Sequence, residues 1–226
     1  MGSNNIGTQK ETSLHASLKE WYAKPGDRLE VELGRYVIDI VRGEQLIEIQ
    51  TGNFHLLKAK LRNLLPTYKV RIVHPIPRER WIQRVSQNDE KLARRKSPKR
   101  GRVEDIFSQL VGIVAFLDDP NLQLEAVLIH EEIRWRDDGR GSWRRKGWSI
   151  ADRQLIEVID CHRFREATDY LQLLPDGLNE PFTNADLSSA LNINRRVAER
   201  MTYCLRKMGA IRTVGQRKRF NLYTIA

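Results

Sequence analysis

The sequence predicts an α/β fold: a mixed-sheet core at the N-terminal end, a basic arm with a hairpin extension behind it, and a C-terminal set of helices closed by a basic hairpin. Three observations carry this. Runs rich in Val, Ile and Tyr alternate with amphipathic stretches over residues 1–76. Two capped helical patterns and two short strands close the chain. The charge is segregated along the sequence instead of spread.

Composition sets the bounds. With 226 residues, 40% of them hydrophobic and 30% charged, the chain has enough apolar side chain for a full core and lacks the signature of disorder. No apolar run approaches the roughly 18 residues that span a bilayer. The start, Met1-Gly2-Ser3-Asn4-Asn5, shows no basic-then-apolar export pattern. The expected location is therefore cytoplasmic, intracellular or nucleoid-associated, with no membrane partner. Cys161 and Cys204 form neither a disulfide framework nor a zinc pattern, the five histidines make no metal-ligand spacing, and no phosphate-binding glycine loop is present.

Of the net charge of +10, residues 1–76 carry +3, 77–102 carry +7, 103–182 carry −7 and 183–226 carry +7. Two basic segments flanking an acidic block favour a polyanion as partner. A solvated surface is the rival reading for either segment alone.

In order along the chain, Leu14, Leu18 and Trp21/Tyr22 recur at helical spacing, and Lys24-Pro25-Gly26-Asp27 ends that helix. Strands follow at Leu29–Leu33, Tyr36–Val41 and Leu46–Gln50, with Gly34 and Gly43 in the turns. Phe54, Leu57, Leu61 and Leu64 mark a second helix, and Tyr68–Ile76 a fourth strand. Residues 77–102 lack sustained periodicity; Arg94, Arg95, Lys96, Lys99 and Arg100 in them read as an exposed basic arm or linker that meets nucleic acid. Residues 103–161 read as an extension of the core: a helix over 103–117, a strand over 124–135 and a turn at 137–142 into a strand over 143–150. Trp135, Trp143 and Trp148 in this hairpin either stack on bases or pack against the sheet.

From residue 162 a further pattern takes over. Phe164–Leu174 reads as a first helix and Thr183 caps a second. Asn194 caps a third, whose Val197, Met201, Leu205 and Met208 face one way while Arg195, Arg196, Arg200, Arg206 and Lys207 face others; Gly209 ends it. Strands over 210–214 and 220–225 flank a tip holding Arg217, Lys218 and Arg219. This order over 162–226 resembles the winged helix-turn-helix family. The resemblance implies double-stranded DNA as partner, with Asn194, Arg195, Arg196 and Arg200 contacting the groove and Arg217, Lys218 and Arg219 the phosphates. A protein-contact module is the rival reading.

Asp39 on the second strand and Glu48 on the third, eight residues lying between them, can be brought together by adjacent strands. Paired carboxylates are hard oxygen donors of the kind that hold Mg²⁺ against a phosphate. Alternation puts Glu48 and Gln50 on one face of the third strand. With the order helix, three strands, helix, strand over residues 1–76, this resembles the PD-(D/E)xK nuclease superfamily and its restriction-endonuclease-like fold, in the Glu-x-Gln variant found among some active restriction enzymes. The resemblance implies an Mg²⁺- or Mn²⁺-dependent DNA endonuclease with Asp39 and Glu48 as metal ligands, and with Glu20 (or its rivals Glu30 and Glu32) and Gln50 in support. Gln50 stands where the usual motif has a charged lysine, and Lys58 or Lys60 on the next helix would replace that charge. A homodimer or larger nucleoprotein assembly would suit double-strand cleavage. The rival reading makes Asp39 and Glu48 exposed strand acids paired with Arg35, Arg42 or Lys58, in a non-enzymatic DNA-binding regulator or assembly factor on an inactive nuclease-like fold.

Overall fold

The computed structural model describes residues 12–226. The N-terminal stretch read above for the absence of an export pattern lies outside the described residues. The architecture is mixed α/β. A seven-stranded mixed sheet runs in the order β1-β2-β3-β4-β6-β7, with β5 paired to β4, and a separate two-stranded sheet is formed by β8 and β9. Among the described residues, no helix is long and apolar enough to cross a membrane.

The described chain divides into two compact units, a smaller one of residues 12–25, 77–101 and 128–160 and a larger one of 26–76, 102–127 and 161–226. In the larger unit β1 (Arg28–Leu33), β2 (Tyr36–Arg42) and β3 (Gln45–Ile49) form an antiparallel meander, and β3 then pairs in parallel with the start of β4 (Lys69–Val85). A parallel partner needs a crossover. It is supplied by a 3-10 turn at Phe54–Leu57, capped by Asn53, that runs into α2 (Lys58–Leu64). Leu57, Leu61 and Leu64 close over Ile38, Leu46, Val70 and Ile72. Ile40, Ile47, Ile49 and Val73 are also buried, so both faces of this part of the sheet are covered.

The expected helix over 103–117 is instead a broken run: a 3-10 turn at Val103–Ile106, α3 (Phe107–Leu110) and a second 3-10 stretch at Val111–Phe116, kinked at Ile113. At Gly112 this run passes close to the Phe54–His55 backbone, where a Cβ would stand 2.9 Å from the His55 nitrogen. Glycine alone leaves room for two backbones to approach that closely. β6 (Leu122–Arg136) and β7 (Ser149–Phe164) follow; β7 begins at Ser149, after a 3-10 turn at Trp143–Arg145, and not at Trp143 as expected.

The C-terminal elements are α4 (Ala167–Leu171), α5 (Asn184–Leu191), α6 (Arg195–Lys207), β8 (Ile211–Arg217) and β9 (Phe220–Ile225). Thr183 and Asp186 form a capping box on α5, Asn194 caps α6, and Gly209 follows α6 at φ +74°. Phe182 exchanges backbone hydrogen bonds of 2.9 and 2.8 Å with Tyr223, adding a bridge to the hairpin. These elements are not a detached module. α6 packs on α3 and the following 3-10 stretch. Tyr170 of α4 stacks on Phe164 at 4.5 Å, and Arg102 Nη1 donates to Leu191 O at the end of α5 at 2.6 Å.

In the smaller unit α1 (Ser13–Tyr22), capped by Thr12, buries Leu14, Leu18 and Tyr22. Residues 77–102, expected as an arm or linker, differ most from the sequence reading. β4 continues to Val85 and pairs antiparallel with β5 (Lys91–Lys96), every residue of which is exposed.

Candidate functional site

β2 and β3 pair through Ile40 and Ile47; one step further along that register stand Asp39 and Glu48. There the ladder yields to a side chain: the Ile49 N–H donates to Asp39 Oδ2 at 2.7 Å. Glu48 shares its crevice with Ile38, Leu46 and the apolar side of α2. Lys60 reaches it from α2, its Nζ 2.6 Å from Glu48 Oε1 and 2.7 Å from Val37 O, with both side chains about 15% exposed. Tyr36 braces the same helix, its hydroxyl donating to Ala59 O at 3.2 Å and accepting from Asn63 Nδ2 at 2.8 Å.

The sequence-derived candidates fare unequally. Asp39 and Glu48 fall on the paired strands as expected. Of the two lysines, Lys60 and not Lys58 meets Glu48. Gln50 lies just past β3, its side-chain amide donating to Asn53 O at 3.0 Å and its backbone N–H to Val73 O at 2.8 Å. Its side chain is thus held by the turn that follows β3. His74 Nδ1 lies 2.6 Å from Gln50 O and packs edge-on against Phe54, a structural role. Glu20 is exposed on α1, an element of the smaller unit. Of the cations in the rival pairing, Arg42 is bound to Asp27 at 2.7 Å, and the hydrogen bond to Asp27 is the main cause that raises the Arg42 pKa above its ordinary value.

Among the basic candidates, Asn194 spends its side-chain oxygen on the Arg196 N–H at 2.9 Å. Arg195 pairs with Glu199 at 3.1 Å and lies 5.1 Å from the Phe220 ring centre. Arg196 is exposed and Arg200 half-buried. Lys218 is exposed at the hairpin tip with φ +58°, and Arg219 lies over Phe220 at 5.3 Å. Arg217, expected at phosphate, is bound to Asp186. The Thr183 backbone N–H, followed by the Thr183 hydroxyl and then Arg217, holds the Asp186 carboxyl below its usual range despite the opposing desolvation. Burial pushes the Cys204 thiol of α6 up to about 12. On and after β5, Arg94 pairs with Glu132 at 2.6 Å, while Lys96 and Arg100 share Glu79 at 2.5 and 3.1 Å. The hydrogen bond from Lys96 is the main cause that holds Glu79 below the usual carboxylate range. Arg95 and Lys99 are exposed.

Among the described residues, no group of three or more His, Cys, Asp or Glu side chains is arranged to hold a metal ion. The β2–β3 strand pair carries two carboxylates, Asp39 and Glu48.

The family model described as "Domain of unknown function (DUF8091)" matches residues 12–165, which include Asp39, Glu48 and Lys60. A protein described as "Uncharacterized protein" from Treponema pallidum (strain Nichols) is 34% identical over 220 residues, covering 96% of this chain and 86% of its own length. No solved structure matches.

Proposed function

The chain belongs to the DUF8091 family, and from that premise we propose that it is a metal-dependent DNA endonuclease whose reactive groups are Asp39, Glu48 and Lys60. The observation that carries the reading is the 2.6 Å approach of Lys60 Nζ to Glu48 Oε1, at the strand pair on which Asp39 also lies. It gives the acids the cation that Gln50 cannot supply. Support comes from the element order: α1, an antiparallel β1–β2–β3 meander, a helical crossover and a parallel β4 follow the order of the PD-(D/E)xK core. This is fold-level likeness, and the side chains at the strand pair give it its chemical content.

Asp39 and Glu48 would hold Mg²⁺ or Mn²⁺. Two carboxylates are within what Mg²⁺ draws from a protein, since it keeps several of its waters. The bound ion supplies polarisation of the phosphate and ionisation of the attacking water. Val37 O and Glu48 hold the Lys60 ammonium on the spot, where its charge offsets the charge developing on the scissile phosphate. α4 to α6 with the β8–β9 hairpin would hold the duplex as a winged helix-turn-helix, through Arg196 and Arg200 at the groove and Lys218 and Arg219 at the backbone.

A second reading, a non-enzymatic DNA-binding protein on an inactive nuclease-like fold, is favoured by a specific observation: both acids already have partners, Asp39 the Ile49 N–H and Glu48 the Lys60 ammonium. Supercoiled and linear DNA with Mg²⁺, Mn²⁺ or EDTA separates the two. Under the nuclease reading the wild type cuts only with metal, Asp39→Asn and Glu48→Gln abolish cutting, Lys60→Ala slows it about 100-fold or more, and Lys58→Ala leaves it unchanged. Retarded DNA that is cut by none of the proteins assigns the second reading.

A further inference from the structure

The tryptophans around the β6–β7 connection are built into the smaller unit in different ways. Trp148 is half-buried with the Arg84 guanidinium 5.0 Å from its ring centre, and Trp135 is half-buried at the end of β6. Trp143 is 83% exposed. The loop that carries it is closely tied. Gly141 N–H donates to Gly147 O at 2.8 Å, Arg145 Nε to Trp148 O at 3.0 Å, and Asp138 accepts from Arg140 N–H at 3.0 Å and Ser149 Oγ at 2.8 Å. A Cβ on Gly141 would stand 1.8 Å from Trp148 O, so only glycine permits the two arms to cross there. An indole held in water by such a loop has apolar surface that a partner would cover.

The surrounding charge selects the partner. Residues 137–148 hold four cations against two carboxylates, and Arg140, Arg144 and Lys146 are exposed. The Arg144 guanidinium lies 5.5 Å from the Trp143 ring centre. A backbone hydrogen bond from Asp137 to Val85 O at 3.3 Å and the Arg136–Asp89 ion pair at 2.6 Å join the loop to the β4–β5 turn, beyond which β5 exposes Lys91, Arg94, Arg95 and Lys96. An exposed aromatic ring on a basic loop can stack any base while the loop's cations neutralise the adjoining phosphates. We propose that Trp143 is a stacking contact for an unpaired nucleobase, with Arg140, Arg144 and Lys146 on the flanking phosphates. The preferred nucleic acid then carries single-stranded or extruded bases in place of an uninterrupted duplex. This deepens the nucleic-acid reading above and rests on it, without requiring hydrolysis at Asp39 and Glu48.

The test uses the full chain, Trp143→Ala and Trp143→Phe in EDTA. Fluorescence anisotropy is followed on a labelled single strand, a matched duplex and a duplex with a short bulge, and binding to anionic phospholipid vesicles is measured in parallel. Trp143→Ala is expected to lose about tenfold in affinity for the single strand and the bulged duplex and less than about twofold for the matched duplex, with Trp143→Phe keeping most of the wild-type affinity. An equal loss on all three DNAs, or no loss on any, overturns the stacking contact. Vesicle binding that depends on Trp143, with DNA binding unaffected, reassigns the indole to a lipid surface. Failure of the wild type to bind any DNA sinks the nucleic-acid reading and this contact together, whereas duplex binding indifferent to Trp143 removes this contact alone.

Discussion

Each compact unit clamps a buried carboxylate of β6 between an arginine of β4 and an arginine of β7, and the two clamps differ. In the larger unit Glu125, 3% exposed, lies 3.6 Å from Arg71 Nη1 and 3.2 Å from Arg163 Nε, and Arg71 also reaches Gln123 Oε1 at 3.4 Å. In the smaller unit Glu131, fully buried, is held at 2.5 Å by Arg80 Nε and at 2.7 Å by Arg153 Nη2, with Arg153 Nε adding a bond at 3.0 Å. Desolvating a carboxylate is costly, and short charge-assisted hydrogen bonds are what offset it. Where the bonds are short the acid can be sealed off completely. Where they are long, a neighbour such as Gln123 shares the arginine. The same device recurs in both units, with the shorter bonds on the acid that is fully buried.

The largest effect expected from breaking these clamps is at Glu131. Glu131→Gln leaves two arginines facing a neutral group in the interior and should cost about 3–5 kcal/mol in urea denaturation, against about 1–3 kcal/mol for Glu125→Gln. Equal losses would show that bond length does not grade the two clamps. The arginines give a smaller contrast. Arg153→Ala should cost about 1.5–3 kcal/mol, since it removes two bonds to a charged acceptor. Arg163→Ala should cost less than Arg153→Ala, because it removes one longer bond from a side chain that is already 40% exposed and Arg71 still faces Glu125.

Much of this architecture is written in local patterns. Thr183, Asn194 and Gly209 announce α5 and α6, and the Val- and Ile-rich alternation announces β1 to β3. Asp39 and Glu48 are legible for the same reason, since strand spacing alone aligns them. β5 is not legible: Leu92 and Ala93 are its only apolar residues and all six positions are exposed, so backbone pairing to β4 makes the strand and no side-chain periodicity reports it. β7 is hidden in a similar way, because Ile156 and Ile159 stay exposed where alternation would bury one face. The choice between Lys58 and Lys60 depends on phase. The crossover starts as a 3-10 turn at Phe54–Leu57, with three residues per turn, and becomes α-helical only at Lys58. A 3.6-residue count begun at Phe54 therefore misplaces both lysines. The clamps on β6 could not be read at all, because β4, β6 and β7 come together only in the folded sheet.

The surface supplies the weakest member of the series, and pH is the variable that resolves it. Asp186 is bound to Arg217 as Glu131 is to Arg80, but both side chains are about half exposed, at 41% and 56%. Its carboxyl is held below the usual range by the Thr183 backbone N–H and hydroxyl and by Arg217. A depressed folded-state pKa stabilises the fold only while the group is ionised. The contribution is present in full above the unfolded value of about 3.9 and is lost as pH falls through the lower folded value. The stability gap between wild type and Asp186→Asn should therefore be constant from pH 7 to about 5 and should close below about pH 4. Added salt should narrow only the part owed to Arg217, because an exposed pair is screened while the helix-capping bonds to Thr183 persist. Urea denaturation of both proteins across pH, at low and high salt, measures each part. A gap that widens in acid would mean that the folded state binds the proton more tightly than the unfolded chain, the opposite of what the cap and the ion pair require.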